Sequence, residues 1–142
     1  MYININDKTT LRQIQKAFSD FYPYLQIKFY KKPHKKYEAS DEEDMIYPHN
    51  KIGNIKPTHV SGILEILPTY KVADVEKEFQ QRFGLSVQIL LKEKNEWEQT
   101  TGMDDFTLRE LNELSRSSSD KLIVEEYEKG FEETPEEGPN LY

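Results

Sequence analysis

The hydrophobic pattern of the chain occurs twice, and Val72 follows Leu11 by 61 positions. Each copy has a short alternating segment, then apolar residues at helical spacing, then a second alternating segment. The matching positions are Ile3, Ile5, Leu11, Ile14, Phe18, Phe21, Leu25, Ile27 and Phe29 in the first copy, and Leu64, Ile66, Val72, Val75, Phe79, Phe83, Val87, Ile89 and Leu91 in the second. The pattern predicts two β-α-β units, at about residues 1–31 and 61–92, joined by a linker over about residues 32–60.

Two such units in tandem predict an α+β fold, a two-layer ferredoxin-like βαββαβ sandwich built from an internal repeat. Thr10 and Gln13 form a capping-box pattern at the start of the first helix. Pro23 and Gly84 are breakers that end the two helices.

The sequence after the second copy predicts an added hairpin strand and a third helix. Residues 92–95 have the composition of a turn, and residues 96–101 would return as a fifth strand. Leu108, Leu111 and Leu114 have helical spacing behind a second capping box at Thr107. We expect a single domain over residues 1–124 and an acidic, disordered tail over 125–142; the linker is expected to be a loop with a short strand near residues 45–47.

Composition excludes several classes of protein. The chain has no cysteine, which excludes disulfides, thiolate catalysis and zinc–thiolate sites. It has no apolar run of membrane-spanning length and no basic, then apolar, stretch at its start. We therefore expect a cytoplasmic protein without a membrane partner.

Charge is distributed unevenly along the chain, whose net charge is −7. Residues 8–36 contain eight Lys or Arg and one Asp, whereas residues 96–142 contain fourteen Asp or Glu and four Lys or Arg. Such separation can steer a charged partner, or the acidic tail can cover the basic segment, but solvated faces and a solubilising tail are the simpler explanation.

Two short motifs suggest a resemblance to a known family. The segment Phe21-Tyr22-Pro23-Tyr24-Leu25, and Trp97-Glu98-Gln99-Thr100 followed by residues 104–108, resemble the recurrent pattern of a small uncharacterised bacterial protein family. The resemblance covers about residues 9–115. The resemblance implies that these residues form a single domain. The family has no assigned activity, so the resemblance implies no function.

The His, Ser, Gly and carboxylate residues form no recognisable catalytic or metal-binding pattern in the sequence. The three His residues, His34, His49 and His59, lack the short fixed spacing of metal ligands. The serines at 117–119 have no nucleophile elbow around them, and the isolated glycines form no phosphate loop. Adjacent carboxylates in exposed runs do not separate their pKa values as acid–base pairs require. We therefore predict no catalytic residue, no metal site and no cofactor.

A basic and aromatic segment, residues 22–36, is the candidate for nucleic-acid binding. Its basic patch would consist of Lys28, Lys31, Lys32, Lys35 and Lys36. The acidic net charge argues against this function, and so does the outer face of the predicted central strands, on which Tyr2 is the one aromatic residue.

The outer face of the predicted sheet carries the candidate interaction surface. Its apolar members would be Tyr2, Tyr30, Ile63, Leu67 and Leu90. Monomers seldom leave such a face bare, so either the third helix covers it, which is the simpler expectation, or another chain does. The leading hypothesis is a non-enzymatic binding or regulatory module that acts through contacts with another protein or with itself, as a homodimer.

The alternative hypothesis is a small enzyme or small-molecule sensor. Its polar pocket would lie between the linker and the Trp97 hairpin, with five residues to examine first: Tyr47, His49, His59, Trp97 and Asp105. A stoichiometric bound ligand would favour this alternative.

Overall fold

The computed structural model describes residues 1–32, 39–59 and 61–119. The predicted acidic tail lies outside the described residues. The strands are β1 (Tyr2–Ile5), β2 (Leu25–Tyr30), β3 (Gly62–Glu65), β4 (Ser86–Glu93) and β5 (Glu96–Gln99). The helices are α1 (Leu11–Phe21), the single turn α2 (Ile52–Ile55), α3 (Val72–Phe83) and α4 (108–119), with a 3₁₀ turn at Glu42–Asp44.

The fold is α+β, with helices and two antiparallel sheets in the described part of the chain. One sheet contains β1 and β3, and the other has the order β2-β4-β5. The ferredoxin-like order is not confirmed, because that order would place β2 beside β3, whereas here β2 pairs with β4. The longer ladder brings Leu25 opposite Leu91 and Ile27 opposite Ile89, so that large apolar side chains meet across the strands on the core face.

The two predicted long helices are confirmed. In α1 the Thr10 hydroxyl accepts from the Gln13 N–H, and the Gln13 side chain accepts from the Thr10 N–H, which satisfies two free donors of the first turn. Helix α3 ends at Gly84, whose φ of 62° is left-handed, a conformation that glycine adopts without strain.

Each long helix begins beside a second helix, and the two N-termini are hydrogen-bonded reciprocally. At α1 and α2, the Leu11 N–H donates to Asn50 O, and the Ile52 N–H donates to Thr9 O. At α3 and α4, the Val72 N–H donates to Phe106 O, and the Leu108 N–H donates to Tyr70 O. Backbone donors that lack partners within a helix are thereby satisfied by the neighbouring loop. Helix α2 lies inside the segment predicted to be a loop.

The core lies between the sheets and the helices. Helix α1 packs on β2, and α3 packs on β4. Fully buried side chains from both predicted copies share this core: Leu11, Ile14, Phe18, Leu25, Phe29, Leu64, Val72, Val75, Phe79, Phe83, Val87 and Ile89. From α4, Leu108 and Leu111 join it, whereas Leu114 is exposed.

The predicted C-terminal hairpin is present. Lys94 and Asn95 both have positive φ, 50° and 66°, as a two-residue turn between β4 and β5 requires. The short strand expected near residues 45–47 is reduced to one bridge between Tyr30 and Met45.

Candidate functional site

The outer face of the β1–β3 sheet carries an exposed apolar group that we call the trio: Tyr2, Ile63 and Leu67. Their exposed fractions are 71%, 66% and 38%. Tyr2 lies opposite Glu65, so Ile63 is its diagonal neighbour on β3, and Leu67 follows two residues after the end of that strand. Helix α4 is the third helix of the sequence prediction, and it was expected to cover the outer sheet face. It does not cover this face, because all three residues are exposed. The trio is therefore an exposed apolar group beside the carboxylate of Glu65.

The backbone around Ile63 is held in place by Arg82 of α3. The Arg82 guanidinium donates to Ile63 O over 2.6 Å and lies over the Phe83 ring, 5.2 Å from its centroid. Gly62, whose φ is 124°, lets the chain enter β3 in a conformation that a side chain would strain. Sequence reasoning missed the role of Arg82, because no local pattern shows that a helix residue reaches a strand edge.

The two other members of the predicted interaction surface are not exposed. Tyr30 and Leu90 belong to the β2-β4-β5 sheet, and their exposed fractions are 1% and 3%. The prediction that these two residues share one outer face with Tyr2, Ile63 and Leu67 is therefore corrected, and the exposed surface retains only the trio.

Part of the predicted linker lies over the outer face of the larger sheet. Ser40 accepts a hydrogen bond from the Gln88 side chain through its hydroxyl, and it exchanges two hydrogen bonds with the Gln99 side chain through its backbone. Met45, which belongs to the same predicted linker, forms an isolated β-bridge with Tyr30 of β2. A serine in a charged linker gives no sequence signal of this role, so the contacts of Ser40 with Gln88 and Gln99 could not be anticipated.

Tyr30 is a buried phenol in an acidic setting. Burial raises the pKa of Tyr30 to about 12, the negative charge of Glu42 adds to the rise, and the nearby Gln99 amide partly offsets it. The Tyr30 hydroxyl nevertheless makes no hydrogen bond of accepted geometry among the described residues. Its neutral form is thus favoured by the fold.

We expect alkaline pH to destabilise the protein through Tyr30 and Tyr22, since burial also raises the pKa of Tyr22 to about 12. A phenol whose pKa is higher in the folded state contributes stability that is complete below the unfolded value of about 10 and is lost as pH rises through the folded value. Urea unfolding should show a falling free energy between pH 10 and 12. Tyr30→Phe should reduce this fall and change stability at pH 7 by less than about 1 kcal/mol; an unchanged alkaline slope in that variant would contradict the assignment.

The residues of the predicted polar pocket are distributed over several elements. The rings of Tyr47 and His49 are stacked, with centroids 6.2 Å apart. His59 contacts Asp7 and Ser61, whereas Trp97 lies on β5 opposite Lys92. Asp105 is exposed in the loop before α4. Tyr47 lines an open depression of about 290 Å³ with Lys31, Met45, Ile46, Asn50 and Ile55.

His59 contacts an aspartate and a serine, so the three side chains have the residue types of a Ser-His-Asp catalytic triad. His59 Nε2 is 2.6 Å from Asp7 Oδ1, and His59 Nδ1 is 3.4 Å from Ser61 Oγ. A nucleophile and its base need a shorter hydrogen bond, of about 2.6–3.2 Å. The His59 side chain is buried while Asp7 is exposed, so we interpret the pair as a clamp between two loops.

Two of the three described lysines of the predicted basic patch, Lys28 and Lys32, lie near carboxylates. Lys28 Nζ is 3.8 Å from Glu42 Oε1, and Lys32 Nζ is 3.8 Å from Asp44 Oδ1. The Lys31 N–H donates to Asp44 O. Lys35 and Lys36 lie outside the described residues. These contacts lower the positive potential that a nucleic-acid site would need.

Metal, membrane and family comparisons give no assignment. Within residues 1–32, 39–59 and 61–119, no three His, Asp or Glu side chains are grouped so that they could hold a metal ion. No helix in the same ranges is both long and apolar enough to cross a bilayer. No protein-family model, no curated protein and no solved structure matches this chain.

Proposed function

We propose that this protein is a non-enzymatic binding module that acts through protein–protein contacts, and that the trio is its contact surface. The observation that carries the proposal is the exposure of Tyr2, Ile63 and Leu67 together on one face of the β1–β3 sheet. An aromatic side chain beside aliphatic ones, rimmed by polar groups, is typical of the centre of a protein interface. Asn4 and Glu65 provide the polar positions on the same face.

We also infer that the trio lies on the axis of an internal duplication. The β2–β4 ladder pairs Ile27 with Ile89, and the β1–β3 ladder pairs Ile3 with Leu64; in both cases these are matching positions of the predicted repeat. The long helix of each copy also exchanges reciprocal N-terminal hydrogen bonds with a helix that follows the copy, α2 after the first and α4 after the second. These features support two copies related by an approximate two-fold axis, in which Tyr2 and Ile63 are equivalent residues.

The proposal includes neither a cofactor nor a nucleic-acid or membrane partner, and it places the protein in the cytoplasm. The carboxylates beside Lys28 and Lys32 support the exclusion of nucleic acid. The lack of cysteine is consistent with a reducing compartment.

Ile63→Asp is expected to abolish partner binding without unfolding the domain, because Ile63 is exposed and a charge there would have to be desolvated in a complex. Loss of an interface centre weakens affinity by about 2 kcal/mol or more, or roughly 30-fold. Proteins that co-purify with the tagged wild type from its source cells should be depleted by that factor with the variant, as measured by quantitative mass spectrometry.

The matched control is Tyr47→Asp, since Tyr47 is 64% exposed and lies outside the trio. It should retain the same partners as the wild type. Equal recovery of every partner by Ile63→Asp and the wild type would remove the trio as the contact surface.

A further inference from the structure

The four outer strand edges of the two sheets differ in how their backbone groups are used. At the edge of β2, the Gln15 side chain donates to Ile27 O over 3.0 Å, Ser19 donates to Leu25 O over 3.1 Å, and the Ile46 N–H donates to Phe29 O over 2.7 Å. These bonds occupy acceptors that another strand would otherwise use.

The edges of β3 and β5 are also protected. The Arg82 side chain occupies Ile63 O at the β3 edge. Strand β5 carries Glu96 and Glu98, and charged residues on an edge oppose pairing with another strand.

The edge of β1 has no such protection from any residue in the described part of the chain. The Met1 and Ile66 backbones exchange two hydrogen bonds, so alternation along the antiparallel ladder directs the N–H and C=O groups of Tyr2 and Asn4 away from β3. Among the described residues, β1 pairs with β3 alone, and no described group bonds the outward backbone of Tyr2 or Asn4. Both residues are uncharged.

We propose that the β1 edge pairs with the β1 edge of a second copy of this chain, in antiparallel orientation about Ile3. In this register Tyr2 lies opposite Asn4 of the second copy, and the two outward residues of each strand exchange four backbone hydrogen bonds across the two-fold axis. A second copy is the occupant because the edge is complementary to itself and carries no like charges that would repel at the axis.

The burial of Ile3 supports the same pairing. Ile3 is on the inner face of the sheet and packs against the core, but it is only half-buried, whereas its opposite residue Leu64 is fully buried. An open depression of about 240 Å³ lies beside the edge, lined by Ile3, Asn4, Asn6, Lys8, Thr9 and Gln13. Pairing would place the two Ile3 side chains next to each other at the axis and reduce their exposure.

The resulting sheet has the order β3-β1-β1-β3 and joins the two trios on one face. This inference rests on the proposed function in so far as the paired sheet presents two trios, instead of one, to a partner. A contact between two short strands buries less than the roughly 1,200 Å² of a standard interface, so the dimer is weak and depends on concentration.

The test is sedimentation velocity of the full chain over a hundredfold range of concentration, with Asn4→Pro as the variant. Proline removes the outward N–H of Asn4, which makes no bond to β3, so the β1–β3 ladder keeps its own hydrogen bonds. The wild type should shift from monomer to dimer, and Asn4→Pro should stay monomeric. Asn4→Ser is the matched control: it retains the N–H and should dimerise as the wild type does.

Amide hydrogen exchange of the wild type provides a second readout that does not depend on how Asn4→Pro folds. Exchange of the Tyr2 and Asn4 amides should slow at least about tenfold between dilute and concentrated protein, whereas the Ile63 amide on the opposite edge should not change. Slow exchange of Asn4 at every concentration would overturn the proposal, because another part of the same chain would then occupy the edge.

The outcomes separate this inference from the proposed function. A dimer that persists in Asn4→Pro, or a wild type that stays monomeric at the highest concentration, overturns edge pairing and does not affect partner binding by the trio. Loss of co-purified partners in Ile63→Asp with dimerisation retained supports both proposals. Retention of partners by Ile63→Asp with dimerisation lost in Asn4→Pro supports edge pairing and rejects the trio.

Discussion

Leu90→Asp is expected to destabilise the protein by about 4 kcal/mol or more, since it places an unpaired carboxylate in a buried site. Leu90 is 3% exposed in the middle of β4, and the residues around it on that face, Ser86 and Gln88, are buried as well. Aspartate here must either remain charged without a partner or become protonated, and both cost free energy. Urea unfolding followed by circular dichroism measures the change.

Ile63→Asp is the control for this substitution, because the sequence pattern predicts both residues on the same outer face of the sheet. Ile63 is exposed, so its replacement should alter the free energy of unfolding by less than about 1 kcal/mol. If Leu90→Asp were as stable as Ile63→Asp, the segment around Ser40 would not cover the larger sheet in solution.

Phe79→Ala is expected to cost about 3–5 kcal/mol, as truncation of a buried phenylalanine does when the cavity cannot collapse. The Phe79 ring lies 5.5 Å from the Phe29 ring, edge to face, and 5.7 Å from the Phe83 ring. The substitution removes both ring contacts and leaves a space between α3 and the β2–β4 ladder. Chemical denaturation at pH 7 measures the loss.

Two other phenylalanines test the specificity of this effect. Phe18 matches Phe79 in the predicted repeat and is also fully buried, so Phe18→Ala should cause a comparable loss. Phe21 is 51% exposed, and Phe21→Ala should cost less than about 1 kcal/mol. A small effect of Phe79→Ala would mean that α3 is not packed on this ladder.

Local pattern was sufficient to predict most of the helices and strands. The capping residues Thr10 and Gln13 and the left-handed Gly84 act within one helical turn, so the sequence shows them directly. The turn at Lys94 and Asn95 is local in the same sense. The sequence pattern does not predict helix α2. The start of its single turn depends on a hydrogen bond from the Ile52 N–H to Thr9 O, and these residues are far apart in the chain.

The candidate surface was only partly predictable. Alternation along a strand states which residues share a face, and it placed Tyr2, Ile63 and Leu67 together on the outer side. It does not state which strands share a sheet, and the division into two sheets separated Tyr30 and Leu90 from the trio. The same alternation of residues therefore leaves the outer face of the β1–β3 sheet exposed and buries the outer residues Tyr30 and Leu90 of the β2-β4-β5 sheet.

Neighbouring residues specify the helices α1 and α3, the strands beside them and the core positions, because periodicity and caps are local properties, and composition excludes cysteine chemistry. Three features depend instead on the tertiary structure: β2 pairs with β4, Ser40 lies over Gln88, and no described residue pairs with the outer edge of β1. Those contacts join residues far apart in the chain, and their free energy depends on which surfaces meet in three dimensions, which no local pattern records.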